Sequence, residues 1–339
     1  MSARLPERWY DAPAGPSWLA PLGWLYGALI AARRRAYAAG LIGSARAGCP
    51  VIIVGNLTVG GTGKTPLTLW LAGQLQARGY SVGILSRGYG RSDGAVRVVQ
   101  PDSPWREVGD EPLLLARRSG CTTVVAADRL AGARRLCTLG ARVILCDDGL
   151  QHLALARDCE IVVIDGARGF GNGRMLPAGP LREPAARVAL ADLAVVNGAP
   201  GHPSLKGGAR LLRMDLIPGE AQALQPGSPP RPLASFRASA VHAVAGIGNP
   251  ARFFAELRAQ GLNLIEHAFP DHHPLSAADL DFGDERAVLM TEKDAVKCTA
   301  FAQARHWFVP VEARFSDTDA REFLTRVQSK IGDPRVAGE

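Results

Sequence analysis

The stretch GNLTVGGTGKTP, residues 55–66, constrains the fold more than any other part of this sequence. It follows the apolar run VIIVGN at 51–56 and precedes a segment, 64–79, in which three leucines recur at helical spacing. A glycine-rich loop between a buried strand and a helix is the context that a phosphate-binding loop requires. The stretch therefore predicts a nucleotide site at the amino end of a helix, and the alternative is a glycine-rich structural turn.

The loop departs from the common pattern G-x-x-x-x-G-K-[ST] at its first position, where Thr58 replaces glycine. A β-branched residue disfavours the backbone shape that glycine permits, so Gly60 and Gly61 are expected to make the turn instead. Backbone N–H groups would hold the phosphates, Lys64 would contact the β- and γ-phosphate oxygens, and the Thr65 hydroxyl would bind magnesium. The predicted nucleotide-binding residues are Thr58, Val59, Gly60, Gly61, Thr62, Gly63, Lys64 and Thr65.

Two acidic residues, Asp147 and Asp148, follow four apolar residues in RVILCDDGLQH at 142–152. A phosphate-binding loop works with an acidic residue at the end of a neighbouring strand, which helps to hold magnesium. The pair is therefore a candidate Walker B site, and the sequence leaves open which aspartate contacts magnesium directly. The alternative is that the two acids cap the start of a helix.

From residue 51 onward, short apolar runs alternate with helical patterns, which is typical of parallel strands joined by helices. Such runs indicate a P-loop NTPase-like α/β fold with a doubly wound, mostly parallel sheet. The six predicted strands are 51–56, 81–86, 122–128, 142–148, 160–165 and 193–197.

The 339 residues exceed one ordinary domain, and the composition changes after about residue 198. Proline- and glycine-rich segments there indicate loops, and strand-like and helical patterns alternate again after them. A second, smaller α/β domain is the simplest interpretation. The predicted parts are an N-terminal membrane-associating helix at 1–40, a P-loop core domain at 41–200, a linker region at 201–235 and the smaller C-terminal domain at 236–339.

The N-terminal segment 17–32 has sixteen almost wholly apolar residues and is followed by three arginines. As a helix it would reach about 24 Å, at roughly 1.5 Å per residue, short of the roughly 30 Å of a bilayer core. Trp18, Trp24 and Tyr26 favour a membrane interface, and the arginines suit an anionic cytoplasmic surface. We predict a membrane-associated helix, either crossing the bilayer or lying on it, and the alternative is a buried core helix.

Charge and cysteine spacing bear on the surroundings of the chain. The net charge is +7, and the first 48 residues contribute +4 of it, with Arg4 and Arg8 among the basic residues. No two cysteines form a C-x-x-C pair, so we expect all six to be reduced in a cytosolic compartment, without a zinc site. They are Cys49, Cys121, Cys137, Cys146, Cys159 and Cys298.

Four further polar segments lie where strands are predicted to end, at 86–91, 108–112, 168–184 and 269–274. In open α/β sheets, the loops at the carboxyl ends of the strands form the binding crevice. Each segment alone is also compatible with an ordinary turn. Together they carry five arginines, which suit phosphate recognition: Arg87, Arg91, Arg168, Arg174 and Arg182.

Taken together, these segments resemble the tetraacyldisaccharide 4'-kinases, the lipid A 4'-kinases of Gram-negative bacteria. The resemblance covers nearly the whole chain, and several of its blocks are peculiar to the family. The blocks are LGWLYG, GNLTVGGTGKTP, SRGYGR, GDEP, DDGLQH, EIVVIDGARGFGNGRMLPAGPLREP, AGIGNPARFF, FPDHH and VLMTEKDAVK. In that family the loop has the form T-x-G-G-x-G-K-T, so Thr58 identifies the family.

The resemblance implies a reaction in which the γ-phosphate of ATP moves to the 4'-hydroxyl of a tetraacyldisaccharide 1-phosphate, forming lipid IVA. It implies ATP and Mg²⁺ as cofactors, and the lipid substrate and a membrane surface as partners, at the cytoplasmic face of the inner membrane. We expect no nucleic acid and no obligate protein partner. The basic N terminus and the loop arginines suit a substrate that already carries one phosphate.

The resemblance also implies roles for individual residues. Asp110 of GDEP would orient or deprotonate the acceptor hydroxyl, helped by His272 of FPDHH, and Lys64 would act on the transferred phosphate. Without the resemblance, Asp110 is equally well a helix cap and His272 a surface residue, and the neighbouring His273 stays an alternative. Glu183 of PLREP is a weaker candidate for magnesium than Thr65, Asp147 and Asp148.

His272 and the phosphate-binding loop lie in different predicted domains, so the domains must face each other across a cleft. We therefore predict that ATP favours domain closure about the linker near 200–235. The alternative function is a membrane-associated P-loop switch ATPase or GTPase that acts through protein partners. A guanine-reading N-K-x-D motif is absent from the sequence, and a small-molecule kinase or ligase would not need the apolar segment 17–32.

Overall fold

A computed structural model gives the structure of the chain and describes residues 9–10, 17–91, 93–205 and 210–333. Part of the basic N terminus, including Arg4 and Arg8, lies outside the described residues, as do residues 206–209 of the predicted linker. The strands are β1 (Val51–Gly55), β2 (Val82–Ser86), β3 (Arg97–Val99), β4 (Thr122–Val125), β5 (Val143–Asp147), β6 (Cys159–Asp165), β7 (Leu193–Asn197), β8 (Leu212–Pro218), β9 (Gln222–Ala223), β10 (Val241–Ala245), β11 (Leu264–Ala268), β12 (Val288–Thr291), β13 (His306–Val309) and β14 (Val311–Phe315). The helices are α1 (Ala20–Ala38), α2 (Lys64–Gln76), α3 (Trp105–Val108), α4 (Asp110–Ser119), α5 (Arg129–Thr138), α6 (Pro250–Ala259), α7 (Glu292–Cys298) and α8 (Asp317–Ile331).

The strands form two sheets. Within the described residues, the larger sheet has nine strands in the order β14-β8-β7-β6-β1-β5-β2-β4-β3, and the smaller has five in the order β11-β10-β12-β13-β9. Pairing in the larger sheet is parallel except at its two edges, β3 with β4 and β14 with β8. The predicted α/β fold with mostly parallel strands is therefore confirmed, and all six predicted strands are present.

Both faces of the larger sheet are covered, which explains why its central strands are apolar throughout. Ile52 and Val54 of β1 pack with leucines of α2 and with Phe323 of α8 on one face. Ile53 and its neighbours pack with Leu136 of α5 on the other face. The loop at 56–63 connects β1 to α2. It therefore begins at the carboxyl end of β1, which is the central strand of the larger sheet.

The predicted domain boundaries differ from the structure. Residues 201–235 were expected to be a linker, but they contain β8 of the larger sheet and β9 of the smaller one. The C-terminal elements β14 and α8 return to the larger sheet rather than completing the smaller one. The larger sheet and the helices packed on it form the larger unit, and the smaller sheet with its helices forms the smaller unit. The C-terminal end of the described chain belongs to the larger unit, because β14 pairs with β8 although the two strands are distant in sequence.

The predicted apolar helix is present as α1, preceded by a short 3₁₀ turn at Ser17–Leu19. The alternative of a buried core helix is wrong, because the side chains of Trp18 and Trp24 are 74% and 77% exposed and Leu22, Leu25 and Leu29 are also exposed. Among the described residues, no helix combines the length and apolarity needed to cross a membrane.

The expectation of six reduced cysteines is wrong for one pair. Cys49 and Cys137 form a disulfide with their Cα atoms 6.4 Å apart, although 88 residues separate them in sequence. A spacing rule such as C-x-x-C cannot detect a contact between residues so far apart in the chain. Cys121, Cys146, Cys159 and Cys298 are free and buried, as expected.

Candidate active site

The phosphate-binding loop has the geometry that its sequence requires. Gly60 and Gly63 adopt φ values of 102° and 100°, in the region that favours glycine. Gly60 therefore makes the turn as expected. The second glycine of the loop with a positive φ is Gly63 and not Gly61. Thr58 is buried, is not among the described residues with a positive φ, and forms an isolated antiparallel bridge with Leu181, so its position does not require glycine.

The loop opens into a cavity of about 730 Å³ that both sheets line. The larger sheet contributes residues 59–66 of the loop together with Asp148 and Arg182. The smaller sheet contributes His272 and Lys293, as well as residues 247–249 after β10. The two sheets therefore face each other across one cavity, as a reaction shared between the predicted domains requires.

Asp148 and Asp147 have different surroundings, which separates their candidate roles. Asp148 lines the cavity, with Oδ1 3.6 Å from Nζ of Lys64 and both oxygens 3.2 Å from NH1 of Arg182. Although burial alone would raise the pKa of Asp148, Lys64 and Arg182 lower it to about 2. Asp147 is 1% exposed, and burial, with Glu111 nearby, raises its pKa to about 7.

These contacts make Asp148 an ionised carboxylate at the cavity wall and Asp147 a buried group behind it. No three His, Cys, Asp or Glu side chains in the described ranges are arranged to hold a metal ion. Magnesium in kinase sites is commonly held by one or two carboxylates together with substrate phosphates. Asp148 and the hydroxyl of Thr65, which also lines the cavity, fit that arrangement.

Glu183 is engaged elsewhere, so its contacts do not support a role in binding magnesium. Its carboxylate pairs with Arg34 of α1, lies 3.7 Å from Nε of Arg187 and accepts a hydrogen bond of 3.0 Å from Gln151. It is 3% exposed and does not line the cavity. The PLREP segment instead attaches α1 to the larger unit.

Asp110 and His272 form a pair across the two sheets. Nδ1 of His272 lies 3.1 and 3.0 Å from Oδ1 and Oδ2 of Asp110. Asp110 is the first residue of α4, where the helix dipole favours an anion, and Oδ1 also accepts the backbone N–H of Glu111 at 2.8 Å. Burial would raise the pKa of Asp110, but the hydrogen bond with His272 and two nearby lysines keep it below its ordinary value.

The structure distinguishes His272 from His273. His272 lines the cavity and contacts the ring of Tyr89, with centroids 4.8 Å apart. His273 stacks on Phe269 and lies 3.6 Å from Asp279, away from the cavity lining. Burial would lower the pKa of His272, but its hydrogen bond with Asp110 raises it above the ordinary value.

Two cationic residues of the cavity were not predicted individually from the sequence. Nζ of Lys293 lies 3.2 Å from Nε2 of His272 and contacts Glu111 and Asp271 at 3.0 and 3.2 Å. Arg252 of α6 contacts Asp165 and Asn197 of the larger sheet at 3.2 and 2.6 Å. Lys293 is the second residue after β12. The rule that polar residues after a buried strand form the site therefore also identifies it in the smaller sheet.

Comparison with known proteins gives one consistent result. A family model described as tetraacyldisaccharide-1-P 4'-kinase matches residues 16–330. The tetraacyldisaccharide 4'-kinase of Alkalilimnicola ehrlichii is 51% identical over 325 residues, which cover 92% of this chain and 93% of that protein. That of Xanthomonas campestris pv. campestris strain 8004 is 49% identical over 322 residues, covering 92% of each chain.

A solved structure agrees with these relatives. The crystal structure of the "apo" form of LpxK from Aquifex aeolicus in complex with ATP is 29% identical, with a TM-score of 0.77. It covers 93% of this chain and 99% of that chain. By its sequence over nearly its whole length and by its fold, this chain belongs to the tetraacyldisaccharide 4'-kinase family.

Proposed function

We infer that this chain is a tetraacyldisaccharide 4'-kinase, which transfers the γ-phosphate of ATP to the 4'-hydroxyl of a tetraacyldisaccharide 1-phosphate in lipid A biosynthesis. The observation that carries this inference is the cavity in which the phosphate-binding loop faces His272, the partner of Asp110. Phosphoryl transfer depends mainly on positioning and on charge neutralisation, and this cavity provides groups for both.

The phosphate-binding loop would hold ATP through its backbone N–H groups and Lys64. Residues 60–65 lie at the amino end of α2, where N–H groups and the helix dipole favour phosphate oxygens. Thr65 and Asp148 would hold magnesium. Asp147, which is buried next to Asp148 and does not line the cavity, would keep Asp148 in position. Magnesium, when bound, neutralises charge on the β- and γ-phosphates.

The Asp110–His272 pair would accept the proton of the 4'-hydroxyl. His272 lines the cavity while Asp110 lies behind it, which favours the imidazole as the group that reaches the hydroxyl. Asp110 would then hold the imidazole in the tautomer with hydrogen on Nδ1 and stabilise its protonated form. Lys293 beside Nε2 would give way to the hydroxyl as the substrate enters.

Helix α1 supports a location on the cytoplasmic face of the inner membrane. The exposed Trp24 and leucines of this helix, with Trp18 in the turn before it, provide an interfacial apolar surface. The exposed Arg33 and Arg35 suit anionic lipid head groups. The salt bridge between Arg34 and Glu183 attaches this helix to the segment that also carries Arg182 of the cavity. The arrangement would bring the acceptor sugar from the lipid surface to the site.

The test is to incubate the purified protein with labelled ATP and tetraacyldisaccharide 1-phosphate in detergent micelles and to look for a bisphosphorylated lipid. We expect transfer by the wild type and severe loss in Lys64→Ala. The matched control is Lys330→Ala, because this lysine is exposed on α8 and pairs with Asp192. Absence of transfer by a wild-type protein that binds ATP would overturn the inference.

Closure of the two units on ATP stays a prediction, which solution scattering with a nonhydrolysable analogue can check.

A further inference from the structure

Lys297 is a fully buried cation next to the proposed active site. It lies on α7, and its side chain has 0% exposure. Lysine is almost never buried unless it is paired, since taking an ammonium group out of water is costly. The groups around Lys297 therefore have to compensate its charge. Those groups identify the segments of the chain that Lys297 connects.

The ammonium group of Lys297 has partners in three different segments. Nζ lies 2.7 Å from Oδ1 of Asp294 in the same helix and 3.0 Å from the backbone oxygen of His273. It also lies 3.8 Å from Oδ2 of Asp110, at the amino end of α4 in the larger unit. Lys297 thus contacts the carboxylate of Asp110 directly, and it contacts the chain next to His272 through the backbone oxygen of His273.

Asp294, the ion-pair partner of Lys297, is connected to His272 through Gly246. Asp294 is 0% exposed, and Oδ2 accepts hydrogen bonds from the backbone N–H of Gly246 at 2.8 Å and from the hydroxyl of Thr291 at 2.6 Å. The backbone oxygen of Gly246 in turn accepts the N–H of His272 at 3.2 Å. Lys297 and Asp294 therefore form one buried ion pair that anchors the chain on both sides of His272.

His272 needs such anchoring because its backbone is strained. Its φ value is 60°, in the left-handed region that a residue with a side chain rarely adopts. A conformation of this kind persists only where surrounding contacts enforce it, and such positions cluster at functional sites. Two hydrogen bonds enforce it here: one from the backbone N–H of His272 to the oxygen of Gly246, and one from Lys297 to the backbone oxygen of the next residue, His273.

We propose that Lys297 is a positioning residue for phosphoryl transfer, which holds the turn at His272 against the amino end of α4 and places a positive charge beside the carboxylate of Asp110. The proposal depends on the proposed function, because it assigns Lys297 a role in the proton acceptance described above. Lys297 does not line the cavity, so it acts through Asp110 and His272 rather than on the substrate.

Charge makes this role testable apart from packing. Other charged groups face the pair as well, namely Lys293, Glu111 and Asp271, and they remain in every variant. Lys297→Met keeps the length of the side chain and removes its charge, so protonation of the pair becomes easier. Asp294→Asn leaves the lysine charge uncompensated, so protonation becomes harder. The two variants should therefore move the acidic limb of the pH profile of kcat in opposite directions.

We expect Lys297→Met to lower kcat by about 10- to 100-fold, the loss that a misplaced catalytic group can cause. The KM for ATP should stay within about twofold, because Lys297 does not line the cavity and its contacts are with Asp110, His273 and Asp294 rather than with the phosphate-binding loop. The acidic limb should move up by about one pH unit in Lys297→Met and down in Asp294→Asn. Lys330→Met should behave as the wild type does.

The proposal is overturned if Lys297→Met keeps the wild-type kcat and pH profile, or if both variants move the limb in the same direction. Binding of a fluorescent ATP analogue checks that each variant is folded. If Lys297→Met does not fold, Lys297→Arg replaces it; this variant retains the charge and should keep the acidic limb of the wild type.

A second readout does not depend on turnover. The Nδ1–H resonance of His272, assigned with His272→Gln, should be visible in the wild type and lost in Lys297→Met. Its persistence would contradict the proposal, whereas absence of lipid phosphorylation by the wild type would contradict the proposed function alone.

Discussion

Arg252 connects the smaller sheet to the phosphate-binding loop, and its removal should weaken ATP binding. NH2 of Arg252 donates to Oδ1 of Asn197 at 2.6 Å, and Nδ2 of Asn197 donates to the backbone oxygen of Thr62 at 2.9 Å. NH1 of Arg252 also lies 3.2 Å from Oδ2 of Asp165. The loop that receives phosphate is therefore held in part by a guanidinium group from the opposite sheet.

The size of the effect follows from these contacts. Hydrogen bonds to charged groups contribute about 1.5–3 kcal/mol each. The side chain of Arg252 is 35% exposed, so water screens part of the interaction. Asp165 also keeps two backbone N–H donors after the arginine is removed. We therefore expect Arg252→Met to cost about 1–2 kcal/mol, which corresponds to about a 5- to 30-fold rise in the dissociation constant for ATP.

Titration with a fluorescent ATP analogue measures this change. The matched control is Arg258→Met on the same helix, because Arg258 is 58% exposed and pairs with Glu266 within the smaller unit. The control should change ATP affinity by less than about twofold, as exposed ion pairs contribute little. Wild-type affinity in Arg252→Met, or equal losses in the two variants, would refute the link between Arg252 and the loop.

Three further predictions concern the metal site, the pH dependence and the membrane. Asp148→Asn should abolish magnesium-dependent turnover while Asp147→Asn lowers it less, because burial already raises the pKa of Asp147 to about 7; equal losses in a titration of turnover against magnesium would contradict this. The pKa of His272 is raised, so the stabilisation that it gains from Asp110 is complete below about pH 6.5 and is lost as the pH rises through the folded pKa. The difference in denaturant midpoint between wild type and His272→Gln should therefore shrink on going from pH 6 to pH 9 (about the range that spans this titration), and a constant difference would exclude it. Leu25→Glu on the exposed face of α1 should reduce co-sedimentation with anionic vesicles by about tenfold without affecting ATP binding, and unchanged co-sedimentation would exclude α1 as the contact.

The sequence was most informative where burial is continuous. Strands such as β1 and β5 are buried on both faces, so each appears in the sequence as an uninterrupted apolar run, and the loop at 56–63 is identified by its glycines. Strand β14 forms one edge of the larger sheet and β8 lies next to it. Both strands are only partly buried, and they pair although about one hundred residues separate them in sequence. Their pairing leaves no pattern in composition, and the proline- and glycine-rich segments at 201–235 therefore predict a linker where β8 and β9 are present.

The candidate site shows the same limit. Asp148 follows β5 directly and Lys64 follows β1 after the loop at 56–63, and both are predicted from that context, whereas the resemblance is needed for Asp110 and His272. Lys297 and Arg252 could not be assigned, because a charged side chain in a sequence does not reveal whether it is buried or which partner it meets. Cys49 and Cys137 illustrate this for a covalent contact. Glu183 shows a related limit, since the sequence suggests its carboxylate as a weaker candidate for magnesium and does not reveal that Arg34 and Arg187 contact it.

The central claim is that one reaction uses the phosphate-binding loop of the larger sheet and His272 of the smaller sheet. The direct measurement compares lipid phosphorylation and ATP binding in wild type, Lys64→Ala and His272→Ala. The account predicts that both variants lose phosphorylation and that only Lys64→Ala loses ATP affinity, because only Lys64 belongs to the loop that holds the phosphates. Wild-type phosphorylation by His272→Ala would contradict the claim.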